Sequence, residues 1–172
     1  MQYKMLAGTD LNVSRICLGT MTYGKQNTIQ QAFEQLDFAV AQGVNFIDTA
    51  ELYPVPTSAD TRCLTEEYIG QWISARGNRE KLIIGTKVCG PAPMVEYLRD
   101  NICHDEKNIR AAVEGSLKRL NTDYIDLYQL HWPDRQTNFF GQLGYEHNTH
   151  HDGTPLLETL RVLKQLVDEG KV

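Results

Sequence analysis

The sequence predicts an α/β fold in which four strand–helix units follow a short β-hairpin, as in the N-terminal half of a (β/α)8 TIM barrel. Apolar segments of strand length alternate four times with segments whose apolar residues recur at helical spacing. This alternation is typical of βαβ units around a parallel sheet. Neither GxGxxG nor GxxxxGK[ST] occurs in the sequence, which disfavours a doubly wound nucleotide-binding fold.

The first part of the chain contains the predicted hairpin and the first two strand–helix units. Residues 2–13 predict the hairpin, because Gly8 and Asp10 supply turn residues between two apolar segments. Gly43 and Gly77 follow helical patterns at the positions where glycine commonly ends a helix. The predicted elements are, in order, a strand at 15–19, a helix at 28–43, a strand at 44–48 and a helix at 64–77.

The second part of the chain repeats the pattern with longer loops. Thr154 and Pro155 form a suitable N-cap and first-turn pair for a last helix, which Gly170 ends. We therefore expect residues 1–172 to form one partial barrel domain that stops before a fifth strand. The predicted elements are a strand at 81–88, a helix at 106–120, a strand at 123–132 and a helix at 154–169, with loops at 89–105 and 133–153.

Composition excludes several classes of function. The net charge of −5 offers nothing that would attract nucleic acid or an anionic membrane to the chain as a whole. No segment approaches the roughly 20 apolar residues of a membrane-spanning helix, and the first ten residues do not resemble a signal peptide. The four cysteines form no CxxC pair and no zinc spacing, so we expect reduced thiols and a cytoplasmic protein.

Proton-carrying side chains occur at the ends of three successive predicted strands. Asp48 ends the second strand, Lys87 lies near the end of the third, His131 ends the fourth, and Tyr53 follows in a loop. Singly, each residue has a structural explanation, such as a helix cap, a solvated lysine or a packed histidine. Their combination favours an active site at the C-terminal edge of a barrel, where the loops that carry chemistry lie.

Four motifs resemble those of the aldo-keto reductases and occur in the order found in the first half of that family. They are CLGTMTYG at 17–24, DTAELY at 48–53, IIGTKV at 83–88 and RLNTDYIDLYQLHWPD at 119–134. The segment VPTSADTRCLTEEYIG, the FGQLGY loop and the proline after Tyr53 are most similar to the bacterial Tas-type branch of the family.

The resemblance implies an oxidoreductase that reduces aldehydes or ketones by hydride transfer from NADPH. It also implies a catalytic tetrad of Asp48, Tyr53, Lys87 and His131. Tyr53 would donate the proton, and we expect Lys87 to lower the pKa of its phenol from the ordinary value of about 10. Asp48 would hold the lysine, and His131 would orient the carbonyl oxygen.

The resemblance also implies contacts with the cofactor and the substrate. The predicted cofactor-binding residues are Gly19, Thr20, Met21 and Asp48, and the predicted substrate-pocket residues are Tyr23 and Trp132. Gly19 to Met21 could instead form only a strand-exit turn, and Trp132 could simply fill the barrel mouth. A loop at 144–154 contains Glu146, His147, His150, His151 and Asp152, but it lacks HExxH spacing, so we expect a solvated loop and no metal site.

Two other functions remain open, and a partner is expected. The chain could be a cofactor-sensing binding or regulatory subunit similar to potassium-channel β subunits, or an inactive half barrel. A complete (β/α)8 barrel needs about 250 residues. We therefore expect association with a missing barrel half or self-association, besides binding of a small carbonyl substrate. The inner strand faces that would need this partner are expected to include Ile16, Leu18, Ile47 and Ile84.

Overall fold

A computed structural model describes residues 1–135, 137–138, 143–146 and 153–172, in which six strands and four α-helices occur. The strands are β1 (Tyr3–Met5), β2 (Asn12–Ser14), β3 (Cys17–Gly19), β4 (Phe46–Asp48), β5 (Ile83–Val88) and β6 (Leu127–Leu130). The helices are α1 (Ile29–Ala41), α2 (Leu64–Arg76), α3 (Glu106–Leu120) and α4 (Leu156–Asp168). Short 3-10 helices lie at Ala59–Thr61, Arg79–Lys81 and Pro93–Val95.

The strands form a hairpin and one parallel sheet. Strands β1 and β2 pair antiparallel, as predicted, and the parallel sheet has the order β3-β4-β5-β6. Each strand therefore lies beside the one that precedes it in the chain. A doubly wound fold would reverse this order at a switch point, whereas a barrel keeps it. In register, Gly19 lies opposite Asp48, and Lys87 lies opposite Gln129.

The main core lies between the sheet and the helices. Ile47 and Ile84 are almost fully buried there, and Leu18 packs against the same cluster. The expectation that these three side chains lie on the inner face of the barrel is wrong, because they pack on the side of the helices. The residues that alternate with them along each strand point to the inner face. Ile16 precedes β3 and is 61% exposed.

The inner face of the sheet contains the alternate set of residues. A Cβ atom added to Gly85 would lie 3.4 Å from the Phe46 ring and 3.7 Å from Leu127, so these residues share one face. The neighbouring residue Ile84 packs on the helix side. The inner face thus combines aromatic and aliphatic side chains with Lys87, which occupies the same face as Gly85 by the two-residue period.

Local capping explains where the helices begin and end. Thr28 and Gln31 form a reciprocal capping box at the start of α1, and the Asp105 carboxylate accepts a hydrogen bond from Asn108 N at the start of α3. The prediction that Thr154 caps α4 is wrong, since Pro155 is the N-cap residue. Thr154 N instead donates to Asp134. No helix in the described part of the chain is both long and apolar enough to cross a membrane.

Candidate active site

The C-terminal edge of the sheet brings Asp48 and Lys87 into direct contact. Asp48 is the last residue of β4, and Lys87 is the penultimate residue of β5. Lys87 Nζ donates to Asp48 Oδ2 and to Thr49 O, both over 2.7 Å. The ammonium group is therefore held by one carboxylate and one carbonyl oxygen, and its position is fixed relative to both strands.

The rings of Tyr53 and His131 lie beside this ion pair. Lys87 Nζ lies 5.1 Å from the centroid of the Tyr53 ring. The His131 ring meets the Tyr53 ring edge to face, with a centroid distance of 5.6 Å and an interplanar angle of 83°. The backbone N–H of His131, which directly follows β6, donates to Val88 O over 2.9 Å. The structure thus brings the four predicted tetrad residues together at one edge of the sheet.

Tyr53 has a raised pKa, contrary to the expectation that Lys87 lowers it. Burial of the phenol is the largest cause, followed by the negative charge of Asp48 and by Cys89. The ring is only 8% exposed. Lys87 lies near the ring, but its charge is compensated by direct contact with Asp48. The phenol therefore keeps its proton at neutral pH and can act as an acid.

His131 is neutral at neutral pH because its pKa is lowered to about 4. Burial is the largest cause, and the positive charge of Lys87 is the second. A neutral imidazole can donate one hydrogen bond and accept another. It can therefore polarise or orient a carbonyl oxygen without bringing a second positive charge into the site.

The predicted cofactor residues form a turn whose outer two members border open space. Thr20 is fully buried, and its hydroxyl donates to Asp48 O over 2.8 Å, so its side chain supports the strand end. A Cβ atom at Gly19 would meet nothing within 4 Å, and Met21 is 45% exposed. Gly19, which lies opposite Asp48 in register, and Met21 are thus accessible at this edge of the sheet.

The two predicted substrate-pocket residues lie in different clusters. Trp132 is buried with Tyr53 and Cys89 and donates from Nε1 to Pro91 O over 3.1 Å. Tyr23 is 2% exposed and packs in the core between the sheet and the helices. The prediction that Tyr23 lines a substrate pocket is therefore corrected, because its ring is covered by core side chains.

An open cavity lies beyond Trp132, between the loops that follow β5 and β6. It has a volume of about 700 Å³, and Pro91, whose carbonyl oxygen accepts the Trp132 hydrogen bond, forms part of its wall. Asp48, Tyr53, Lys87 and His131 do not form part of its wall. Its lining includes Pro91, Ala92, Arg135, Asn138 and Tyr145.

Two polar residues near the tetrad were missed by the sequence analysis. Gln129 Nε2 lies 3.5 Å from Asp48 Oδ1, on the side of the carboxylate opposite the lysine contact. Glu51 is 1% exposed and accepts hydrogen bonds from Cys89 N and from Arg99. The sequence did offer one indication that Glu51 lies near the site, since it stands within DTAELY between Asp48 and Tyr53. Charged residues are usually exposed, so its burial could not be inferred.

Within the residues that the structure describes, no group of three or more His, Cys, Asp or Glu side chains could hold a metal ion. Four of the loop residues that were considered as possible ligands, His147, His150, His151 and Asp152, lie outside the described residues.

Comparison with known proteins identifies relatives over the whole chain. The profile of the Aldo/keto reductase family matches residues 15–172. Protein tas of Escherichia coli (strain K12) is 50% identical over 173 residues, a match that covers 100% of the chain and 50% of that protein. Aldo-keto reductase YhdN of Bacillus subtilis (strain 168) is 33% identical over 178 residues, covering 100% of the chain and 45% of that protein.

A solved structure gives the same result for the fold. The crystal structure of the thermostable aldo-keto reductase Tm1743 in complex with the inhibitor epalrestat matches with a TM-score of 0.71 and 31% identity. The match covers 99% of the chain and 51% of that protein. The chain thus spans about half the length of the relatives it matches. These matches confirm the half-barrel fold and the resemblance to the Tas-type branch, and the chain therefore belongs to the aldo/keto reductase family.

Proposed function

We propose that the chain supplies the proton-transfer half of an oxidoreductase that reduces aldehyde or ketone carbonyls with NADPH. The observation that carries this proposal is the contact of Lys87 with Asp48 beside the rings of Tyr53 and His131, which meet edge to face. Reduction of a carbonyl requires a proton at oxygen as well as a hydride at carbon. The cluster contains a protonated phenol, a positive charge and a neutral imidazole for the oxygen.

Each residue has a distinct part in the proposed reaction. Tyr53 donates its phenolic proton to the carbonyl oxygen, and Lys87 stabilises the negative charge that develops there and on the phenol. His131 donates a hydrogen bond to the same oxygen and fixes the orientation of the carbonyl. Asp48 holds Lys87 in place through the 2.7 Å contact. NADPH, when bound, supplies the hydride.

The residues present fit one end of NADPH. Gly19 and Met21 border open space at the edge of the sheet, next to Asp48. In the family that the sequence resembles, most contacts with the cofactor phosphates come from the second half of the barrel. We therefore propose that full activity requires that second half, supplied by a longer chain or by a partner. The four free cysteines support the expected cytoplasmic location.

The test is NADPH binding by fluorescence titration, followed by carbonyl reduction assays, on the chain alone and after addition of a protein that carries the second barrel half. Tyr53→Phe should lower kcat by about 10²-fold or more, the lower end of the range for general acid catalysis. Lys87→Met should also lower kcat. Tyr3→Phe is the matched control, because Tyr3 lies in the exposed hairpin.

Three outcomes distinguish the possible functions. Turnover lost only in the site variants supports the reductase. Turnover that persists in Tyr53→Phe contradicts tyrosine as the proton donor. Saturable NADPH binding without turnover in the complete assembly favours a cofactor-sensing binding subunit.

A further inference from the structure

Two glutamates are buried beside β5, and each is paired with an arginine. Glu51 is 1% exposed and pairs with Arg99, and Glu66 is fully buried and pairs with Arg119. Burying a carboxylate is costly unless it is paired and hydrogen-bonded. Both carboxylates therefore need hydrogen-bond donors at fixed positions. The two glutamates differ in the segments of the chain that supply these donors.

The Glu51 carboxylate links three separate segments. Its Oε1 atom accepts hydrogen bonds from Cys89 N over 2.7 Å and from Arg99 Nη2 over 3.1 Å. Its Oε2 atom accepts from Arg99 Nη1. The Glu51 backbone N–H donates to Lys87 O over 3.2 Å. Glu51 is thus bonded to the end of β5 through both its backbone and its side chain.

This attachment fixes the segment that connects Asp48 with Tyr53. Thr49 N donates to Gly85 O over 2.8 Å, and Tyr53 N donates to Ala50 O over 3.1 Å. The carbonyl of Thr49, in turn, accepts from Lys87 Nζ. The position of the Tyr53 ring relative to the lysine therefore depends on how residues 49–53 lie against β5.

We propose that the Glu51–Arg99 pair is a positioning device that holds residues 49–53 against the end of β5, and so sets the geometry of Tyr53, Lys87 and His131. Its catalytic meaning rests on the proposed carbonyl reduction. Glu51 is a positioning residue, because it acts through the segment that carries Tyr53. Its backbone contact is with Lys87 on β5, and its carboxylate contact is with Cys89, which directly follows that strand.

The Glu66–Arg119 pair provides a matched comparison. Glu66 Oε1 accepts from Thr86 Oγ1 over 2.6 Å, and Oε2 accepts from Arg119 Nε over 2.7 Å. It is as buried as Glu51 and bonds to the same strand, but it belongs to α2 and has no bond to residues 49–53. A purely structural effect of losing a buried charge should therefore appear in both glutamates.

The experiment follows the titration of His131 by proton NMR in the folded chain. The groups that act on this imidazole are Lys87, Asp48 and Glu51, with the Tyr53 ring packed against it. The His131 pKa is about 4, and the negative charge of Glu51 raises it. Loss of that charge alone must therefore lower the pKa of His131 further.

A positioning role predicts the opposite direction. If Glu51→Gln releases residues 49–53, the packed cluster opens to water and the His131 pKa rises by about 1 or more toward its ordinary value. Glu66→Gln should leave the His131 pKa unchanged. Glu51→Asp keeps the charge but shortens the side chain, so it should also raise the pKa. It takes the place of Glu51→Gln if that variant does not fold.

Three results would overturn the proposal. They are a fall or no change of the His131 pKa in Glu51→Gln, an unchanged value in Glu51→Asp, and an equal rise in Glu66→Gln. The titration requires neither cofactor nor turnover. A negative result in this titration therefore does not contradict the proposed reductase function. If that function is disproved, the effect of Glu51 on the His131 pKa can still be measured.

Discussion

At the scale of single residues, the Lys87 charge acts mainly on its neighbours. It contacts Asp48 directly and lowers the pKa of His131, but the pKa of Tyr53 is raised by burial and by negative charge. The tetrad is thus arranged so that the acid is protonated and the histidine is neutral at the same pH. Both states suit proton donation to a carbonyl oxygen.

The influence of Lys87 on His131 can be measured directly. Replacing Lys87 with Met removes the second-largest cause of the lowered His131 pKa, so the pKa should rise above about 4. It should stay below 6.5, because burial is the largest cause and persists. Proton NMR titration gives the value, with Lys81→Met, on the exposed turn before β5, as the control. A fall of the pKa would contradict this description of the site.

The neutral His131 also makes stability depend on pH. Between pH 6.5 and about 4 the unfolded chain binds a proton at His131 that the folded chain does not. The free energy of unfolding therefore falls as the pH falls through this window, and it is unaffected by His131 above it. Denaturant unfolding at several pH values should show a shallower decline in His131→Gln than in the wild type. Equal slopes would mean that His131 titrates normally.

His104 acts in the same direction, which is why the comparison uses a His131 variant. Burial lowers its pKa as well, and it is 2% exposed. His104 should therefore contribute to the same loss of stability in both the wild type and His131→Gln. The difference between the two proteins isolates the contribution of His131.

The sequence predicted the residue types of the site better than their environments. Asp48, Lys87 and His131 could be found because ionisable side chains at strand ends are conspicuous in an apolar pattern. The raised pKa of Tyr53 and the burial of Glu51 depend on contacts with segments that are distant in sequence, such as Arg99. Local pattern carries no information about such contacts.

At the scale of elements, the contact between α2 and α3 depends on glycine. A Cβ atom added to Gly70 would lie 2.0 Å from the Arg119 carbonyl oxygen and 2.8 Å from the Leu120 carbonyl carbon, so the helix backbones would have to separate. Gly115 on α3 is less constrained, because the atoms nearest to its added Cβ, the first at 2.7 Å, belong to the guanidinium end of Arg119 and not to a backbone. The two glycines therefore form a matched pair.

Gly70→Ala should lower the free energy of unfolding by about 1–3 kcal/mol, as overpacked sites do. Gly115→Ala should lower stability less than Gly70→Ala, because the end of the Arg119 side chain can shift where a helix backbone cannot, and because alanine is the better helix former. Chemical denaturation of both variants is the measurement. A similar loss of stability in both would show that helix approach does not depend on Gly70.

Element types were predictable, whereas strand faces were not. Helix ends agree with the sequence to within about two residues, since Thr28, Gly43 and Gly77 give clear local signals. Parallel strands are apolar on both faces, so the sequence around Ile47 does not indicate which residues face the helices and which face the inside of the barrel. The strand predicted at 123–132 is observed only at Leu127–Leu130.

At the scale of the whole molecule, the sheet has two outer strand edges, and the helix layer has an exposed apolar face. Strands β3 and β6 are the outer strands of the parallel sheet within the described residues. Helix α4 buries Thr159, Val162 and Leu166 against the rest of the chain. Leu163 is half-buried against the same cluster, whereas Leu156, Leu157, Leu160 and Val167 are exposed. Leu156, Leu160 and Val167 follow one another at helical spacing.

This exposed stripe leads us to expect association through α4. Helix α2 contacts both α1 and α3, and α3 contacts both α2 and α4, so each of these helices packs between two neighbours. Leu156 and Val167 are 65% and 54% exposed on a helix that packs against α3. An apolar helix face of this kind is stabilised by covering it with another helix. In the chain alone, a second copy is the available partner.

Sedimentation velocity across a range of protein concentrations provides the measurement. The chain should self-associate, and Leu160→Lys should weaken the association because it places a charge in the centre of the stripe, where it would be desolvated. Gln30→Lys adds the same charge at an exposed position on α1 and is the matched control. A monomer at all concentrations, or equal weakening by both substitutions, would contradict a role for α4. Association that persists unchanged in Leu160→Lys would also contradict it, and would point instead to the outer edges of β3 and β6.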